Sequence, residues 1–313
     1  MFQSSSQTEV ARAPGLFAAF APLRVQGAER GLRAEQLAPG AEAEAVEFLS
    51  GRPVHAVNLL GLIADNGLVS PHNRGTFYAC RDERGRLEGV ALIGHATLFE
   101  ARTPRALRAF ARAAQTRPSL HLVLGESEPV ADFWRHYRAE GQPLRLACRE
   151  LLFRMERGGQ AEDFGAAEGL RLATREDLPL VMPAQAEMAV EECGVNPLEV
   201  DPAGFRDRCA RRISRGRVWV AVNADGLLDF KADVMAETPE AVYLEGVYVR
   251  PAARGRGLGR RFMLRLNREL LARSRAVCLL VNERNLEAQS FYRKTGFRLR
   301  GLYETIYLHK THA

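Results

Sequence analysis

The segment Val249 to Arg261, "VRPAARGRGLGRR", separates two apolar stretches of different period. Before it, "VYLEGVYV" is rich in β-branched and aromatic residues and predicts a strand. After it, Phe262, Met263, Leu266 and Leu270 recur at helical spacing and make one apolar stripe. A strand that runs through glycines at 255, 257 and 259 into an amphipathic helix is an α/β unit, and it commits the chain to a sheet flanked by helices.

Such a junction leaves the first N–H groups of the helix unpaired and pointing at one place, where the aligned peptide dipoles add about half a positive charge. The glycines at 255, 257 and 259 let the main chain adopt conformations that side chains forbid, and let an anion touch it directly. Arg254, Arg256, Arg260 and Arg261 add charge, so a phosphate or pyrophosphate is the expected ligand. The nucleoside-triphosphate pattern GxxxxGK[ST] is absent. The dinucleotide pattern GxGxxG fails as well: the spacing is GxGxG, and Leu279 and Leu280 stand where its acidic residue belongs.

Around this junction the second half of the chain reads clearly. "LPLVMPAQAEMAVEECG" and "FRDRCARRISRG" are helices, "RVWVAV" and "LLDFKADVM" are strands joined by the turn "NADG", "AVCLLV" is a buried strand, and "EAQSFYRKTGF" is a short helix stopped by Gly296. The first half repeats the order. "GTFYAC" and "RLEGVALIGH" match the strand pair, "ATLFEA" matches "VYLEGVYV", and "PRALRAFARAA", "LHLVL" and "EPVADFWRHYRAEG" match the helix, strand and helix that follow. The strand near His121 precedes its counterpart near Val277 by about 155 residues, which predicts two copies of one unit. Only Arg102 and Thr103 stand where the second copy has its glycine loop. The expected organisation is an N-terminal extension over 1–35, a first domain over 36–157 without the loop, a linker over 158–169 where the apolar pattern lapses, and a second domain over 170–313.

Composition narrows the class. The 313 residues carry a formal net charge of +6, which suits an anionic ligand but equally an ordinary basic surface. Five scattered cysteines without a CxxC pair, and seven histidines without HExxH, indicate neither a disulfide framework nor a metal site, and a reducing cytoplasm is the expected setting. No apolar run approaches the roughly 20 residues of a membrane span, and "LFAAFAPL" lacks the flanks of a signal peptide.

The loop resembles the [QR]xxGx[GA] signature of the GNAT superfamily of N-acetyltransferases, read here as Arg254, Gly257 and Gly259. "VNERNLEAQSFYRKTGF" is similar to that superfamily's second motif, in the right order on the right elements, and the resemblance covers about Leu170 to Leu308. The first half resembles a degenerate copy, as in tandem GNAT proteins. The fold implied is two tandem GNAT-like domains, each a mixed sheet that splays between its fourth and fifth strands, where acetyl-CoA enters. In the second half those strands are "VYLEGVYV" and "AVCLLV", and Gly246 is where a bulge could widen the gap.

The resemblance implies direct attack of a primary amine on the acetyl thioester, without a metal. Glu245 is the candidate base, acting through water, and Tyr292 the candidate acid for the leaving thiolate. Val247, Tyr248 and Val249 would line the cofactor arm, with backbone N–H groups of Val247 and Val249 as donors. Arg254, Gly255, Arg256, Gly257, Leu258, Gly259 and Arg260 would hold the diphosphate, and Asn285 would bond the arm or simply cap its helix. Glu187, Glu191 and Glu192 form either an acidic lip for a cationic amine or a solvated helix face, with the solvated face preferred. Asp229, Lys231 and Asp233 alternate on one strand face and read as surface charges in cross-pairs; Cys278, Trp134 and Trp219 read as core. The acceptor implied is a small-molecule or peptide amine. A non-catalytic acyl-CoA sensor is the alternative, and a transferase using charged transfer RNA ranks last because no aromatic-basic platform for RNA is present.

Overall fold

The computed structural model describes residues 32–158 and 168–309. Most of the N-terminal extension and of the linker therefore lies outside the described residues. The first half contains β1 (Ala34–Gln36), α1 (Glu42–Ser50), α2 (Val57–Asn66), β2 (Gly75–Arg81), β3 (Leu87–Gly94), β4 (Ala96–Ala101), α3 (Pro104–Gln115), β5 (Leu122–Glu126), α4 (Ser127–Tyr137) and β6 (Leu144–Glu156). The second repeats the order with β7 (Leu170–Leu172), α5 (Leu178–Cys193), α6 (Pro197–Val200), α7 (Pro202–Ser214), β8 (Val218–Val222), β9 (Leu228–Glu237), β10 (Val242–Val249), α8 (Leu258–Arg273), β11 (Ala276–Asn282), α9 (Leu286–Lys294) and β12 (Arg298–Leu308).

Local chemistry places these elements. In α8, Phe262, Met263, Leu266 and Leu270 are all buried against Val242, Leu244, Val277 and Leu279 of the sheet. Gly194 ends α5 in the left-handed conformation at φ 70°. In α3 the Thr103 hydroxyl accepts a hydrogen bond from Ala106 N and Pro104 fills a position that needs no donor, so this helix start is capped by the protein itself.

The strands form one twelve-stranded sheet in the order β1-β2-β3-β4-β5-β12-β6-β11-β10-β9-β8-β7. Its centre is an exchange. The last strand of the second half, β12, lies between β5 and β6 of the first, pairing Leu122 with Tyr307 and Glu126 with Tyr303. The last strand of the first half, β6, lies between β11 and β12, pairing Glu156 with Ala276 and Glu150 with Asn282. Each half is thus completed by a strand of the other. The sequence pattern does not reveal this, because alternation within "LRLACRELLFRME" says that the segment is a strand but not which neighbour it takes.

Leu151, Phe153 and Met155 of β6 enter the core under α8 and α9, while Leu152 enters the core on the opposite face under α2. Helix α2 reaches across to the second half: a Cβ on Gly61 would stand 2.6 Å from Cβ of Ala236 on β9, so only glycine permits this approach. Arg217 pairs with Asp65 at 2.9 Å and secures the end of α2. Leu32 to Ala313 accordingly cluster as one compact unit. No helix among the described residues is long and apolar enough to cross a membrane.

Candidate active site

The parallel pairing of β10 with β11 covers only Val242–Val277, Tyr243–Cys278 and Leu244–Leu279. Beyond Leu244 the strands part. The cause lies on the other edge of β10, where Glu245 pairs with Asp233 and Tyr248 with Lys231, leaving Gly246 and Val247 opposite Ala232. Gly246 takes φ +58°, and a Cβ there would stand 2.9 Å from Lys231 Nζ and 3.0 Å from Gln185 Oε1. The expected bulge is present, and a lysine fixes it.

Lys231 is 0% exposed and Asp233 1% exposed, which corrects the expectation of surface charges. Lys231 Nζ donates to Gln185 Oε1 at 2.7 Å and to the Gly246 carbonyl at 3.2 Å, and pairs with Asp233 Oδ1 at 2.7 Å. The second Asp233 oxygen accepts from Arg212 of α7. Every strong charge here has a partner, as burial requires. Asp229, nearer the strand start, pairs with Arg250 at 2.7 Å.

The glycine loop then turns into α8. Gly255 (φ +73°) and Gly257 (φ +76°) are left-handed, and nothing lies within 4 Å of where a Cβ would stand on either. Gly257 begins α8 without a side-chain cap, and Arg261 N is bonded to Gly257 O at 3.1 Å. Among the described residues, no partner falls to the N–H groups of Gly255, Arg256, Gly257, Leu258 or Gly259. The contrast with the Thr103 cap of α3 is direct. Gly259 serves packing instead, because it is buried and a Cβ there would meet Val249 Cγ2 at 2.8 Å, so it lets the helix lie close on β10. Arg254 Nε donates to Val249 O at 3.0 Å and straps the loop to the strand end. Arg256 is exposed, and Leu258 and Arg260 are half-buried.

Val247 and Val249 pack against the α8–α9 core, and Tyr248 against the α5–α7 core. Asn285 caps α9, its Oδ1 accepting from Ala288 N at 2.9 Å, so its amide nitrogen is the donor left for a ligand. Tyr292 of α9 is 8% exposed, its ring among Phe153, Phe291 and Phe297. Its hydroxyl makes no hydrogen bond among the described residues. Burial raises its pKa, and the charge of Glu192 raises it further, so the phenol keeps its proton at neutral pH. Cys278, Trp134 and Trp219 are in the core.

Glu245 is open to water yet walled by protein, the condition of a group lining a cleft. This desolvation raises its pKa, while Arg212 pulls it down and Asp233 pushes it up again. Two further carboxylates share the surroundings. Glu192, at the end of α5, is pushed up to about 8 by burial and then by Glu245 and Glu150. Glu150, on β6, is pushed up to about 7 by burial and, against the pull of the Thr305 hydroxyl at 2.7 Å, by Glu245 and Glu304. Glu192 is exposed at the end of α5, as the preferred solvated face expects, yet it lies near enough to Glu245 and Glu150 to feel their charge. Glu150 could not be foreseen, because it belongs to the first half and arrives with the exchanged strand.

These raised values have a sign. A carboxyl whose folded pKa exceeds its unfolded 4.5 contributes stability that is complete below pH 4.5 and is lost as pH rises through about 7. Glu150→Gln keeps an acceptor for Thr305 and removes the charge. It is expected to raise stability by about 1–2 kcal/mol at pH 9, a Tm gain of about 2–6 °C, and to change little at pH 5. Thermal unfolding at the two pH values checks this.

Residues 214–299, from the end of α7 into β12, match the sequence family described as acetyltransferase (GNAT) domain. No curated protein matches the chain. Solved structures share the fold. A Drosophila protein matches with a TM-score of 0.66 at 12% identity, over 90% of this chain and 99% of its own. A tandem GNAT protein from the clavulanic acid biosynthesis pathway matches at 0.56 and 15%, over 90% of this chain and 100% of its own. An acetyltransferase of the GNAT family from Colwellia psychrerythraea matches at 0.55 and 10%, over 89% and 99%. Residues 214–299 thus match a GNAT acetyltransferase domain, and the chain shares its fold with a tandem GNAT protein.

Proposed function

We propose that the protein is an acyl-CoA-dependent N-acyltransferase that moves acetyl from acetyl-CoA to a primary amine, with the chemistry in the second half. The observation that carries this reading is the uncapped start of α8, where left-handed Gly255 and Gly257 leave open space and a row of unbonded N–H groups beside the parted strands β10 and β11. That site fits a diphosphate, with Arg254, Arg256, Leu258, Gly259 and Arg260 around it. Val247, Tyr248, Val249 and Asn285 would line the arm that reaches into the gap.

The thioester supplies an activated acyl carbon; the protein supplies proton transfer and position. A C–N bond forms and the C–S bond breaks. Glu245 takes one proton from the amine through water, and Tyr292 gives one to the departing sulfur. Their raised pKa values suit both roles, giving a stronger base in the one and a phenol that is still protonated in the other.

Calorimetric titration with CoA and acetyl-CoA is the test. One site per chain is expected, since Thr103 closes the corresponding helix start in the first half. Thiol release in the presence of amines should follow. No heat with either compound would overturn the reading.

A further inference from the structure

We propose that the acceptor is a dication, a straight-chain diamine or longer polyamine, whose non-reacting ammonium is held by Glu150 and Glu192. The inference rests on the transferase reading and names the acceptor class for that cleft.

The geometry comes from the sheet. Glu245 follows Leu244, which pairs with Leu279, so it lies level with Leu280 on β11. Glu150 pairs with Asn282 on the other side of β11. Regular spacing, two strands across and two residues along, would put their Cα atoms roughly 12 Å apart on one face, and the parting of β10 from β11 beyond Leu244 widens that distance. Glu192 closes the third side. It lies in the last turn of α5, the negative end of that helix, and Arg145 on β6 holds this end by donating to Cys193 O at 2.9 Å. Among the described residues, neither Glu150 nor Glu192 has an ion-pair partner. Arg212 and Lys231 also act on this space, but both are paired with Asp233, so three carboxylates and a helix C-terminus leave it negative on a chain of net charge +6.

A second observation is independent of the carboxylates. Tyr243 is 6% exposed, and its hydroxyl has no hydrogen-bond partner among the described residues. Tyr243 feels Glu245, Glu150 and Glu192, and it also forms part of the wall of a cavity beneath α2 that His55, Asn58 and Tyr303 line. A metal does not fit: no group of three or more His, Cys, Asp or Glu among the described residues is arranged to hold one. Carboxylates too spread to close on an ion suit a flexible chain with a charge at each end.

The test compares 1,4-diaminobutane with butylamine as acceptors at pH 7.5, and titrates 1,4-diaminobutane into the protein in two buffers of different ionisation enthalpy. The kcat/KM for the diamine should exceed that for butylamine about tenfold or more, the size of one charge-assisted contact. Binding should release protons, because Glu150 and Glu192 ionise against the ammonium. Glu150→Gln and Glu192→Gln should each bring the ratio of the two acceptors toward one. A wild-type ratio near one, a ratio untouched by both variants, or no diamine heat would each overturn the dication while leaving CoA binding intact. Failure of CoA to bind would overturn the transferase reading instead, and diamine calorimetry would still decide the cation site.

Discussion

Lys231→Met is expected to cost about 3–5 kcal/mol of stability, the penalty for stripping one partner from a buried ion pair. Lys231 has no exposed surface and holds Asp233, Gln185 and the Gly246 carbonyl together. Methionine fills nearly the same volume, so the loss is electrostatic rather than a cavity. Asp233 would keep only Arg212, and the Gly246 carbonyl would lose its bond at the point where β10 bulges. Urea unfolding should show a lower midpoint with an unchanged slope. Adding Asp233→Asn should restore part of the loss, because the second change removes the stranded charge. A loss below about 1 kcal/mol would mean that water or a neighbour replaces the ammonium, and that the bulge needs no lysine.

Gly257→Val should weaken CoA binding about 100-fold or more while costing only about 1–2 kcal/mol of stability. The two effects separate because the loop is exposed and carries little of the core. At φ +76° a β-branched residue is strained, which accounts for the stability cost. The loop relieves that strain by turning, and N–H groups that converged on one point then diverge. Loss of two charge-assisted hydrogen bonds, each about 1.5–3 kcal/mol, gives the affinity change. Calorimetry measures the Kd and thermal unfolding the stability. Affinity within threefold of the parent would remove the loop from the role of diphosphate seat.

What local pattern encodes was legible. "VYLEGVYV" is β10 from Val242 to Val249, the stripe of Phe262, Met263, Leu266 and Leu270 is the buried face of α8, and Gly246 marks the bulge. The missing loop before α3 was legible as well, and Thr103 supplies its physical meaning. What depends on distant partners was not. Asp229, Lys231 and Asp233 alternate like the wet face of a half-buried strand, and nothing near them shows that α5 and α7 cover that face with Gln185 and Arg212. Gly259 looked like a third flexible joint, yet its neighbour Val249 makes it a packing residue. Glu150 carried no signal in its own segment, since its importance is set by register with Asn282 across the exchange.

The interleaving of β6 and β12 means that this chain cannot be pruned. Were the half without a glycine loop deleted, β11 would be bared along every position from Ala276 to Asn282, a row of unpaired amides ready to recruit other chains. It would also take Glu150 with it. The first half, which has no glycine loop of its own, is therefore a scaffold for the second through two strands' worth of shared main chain.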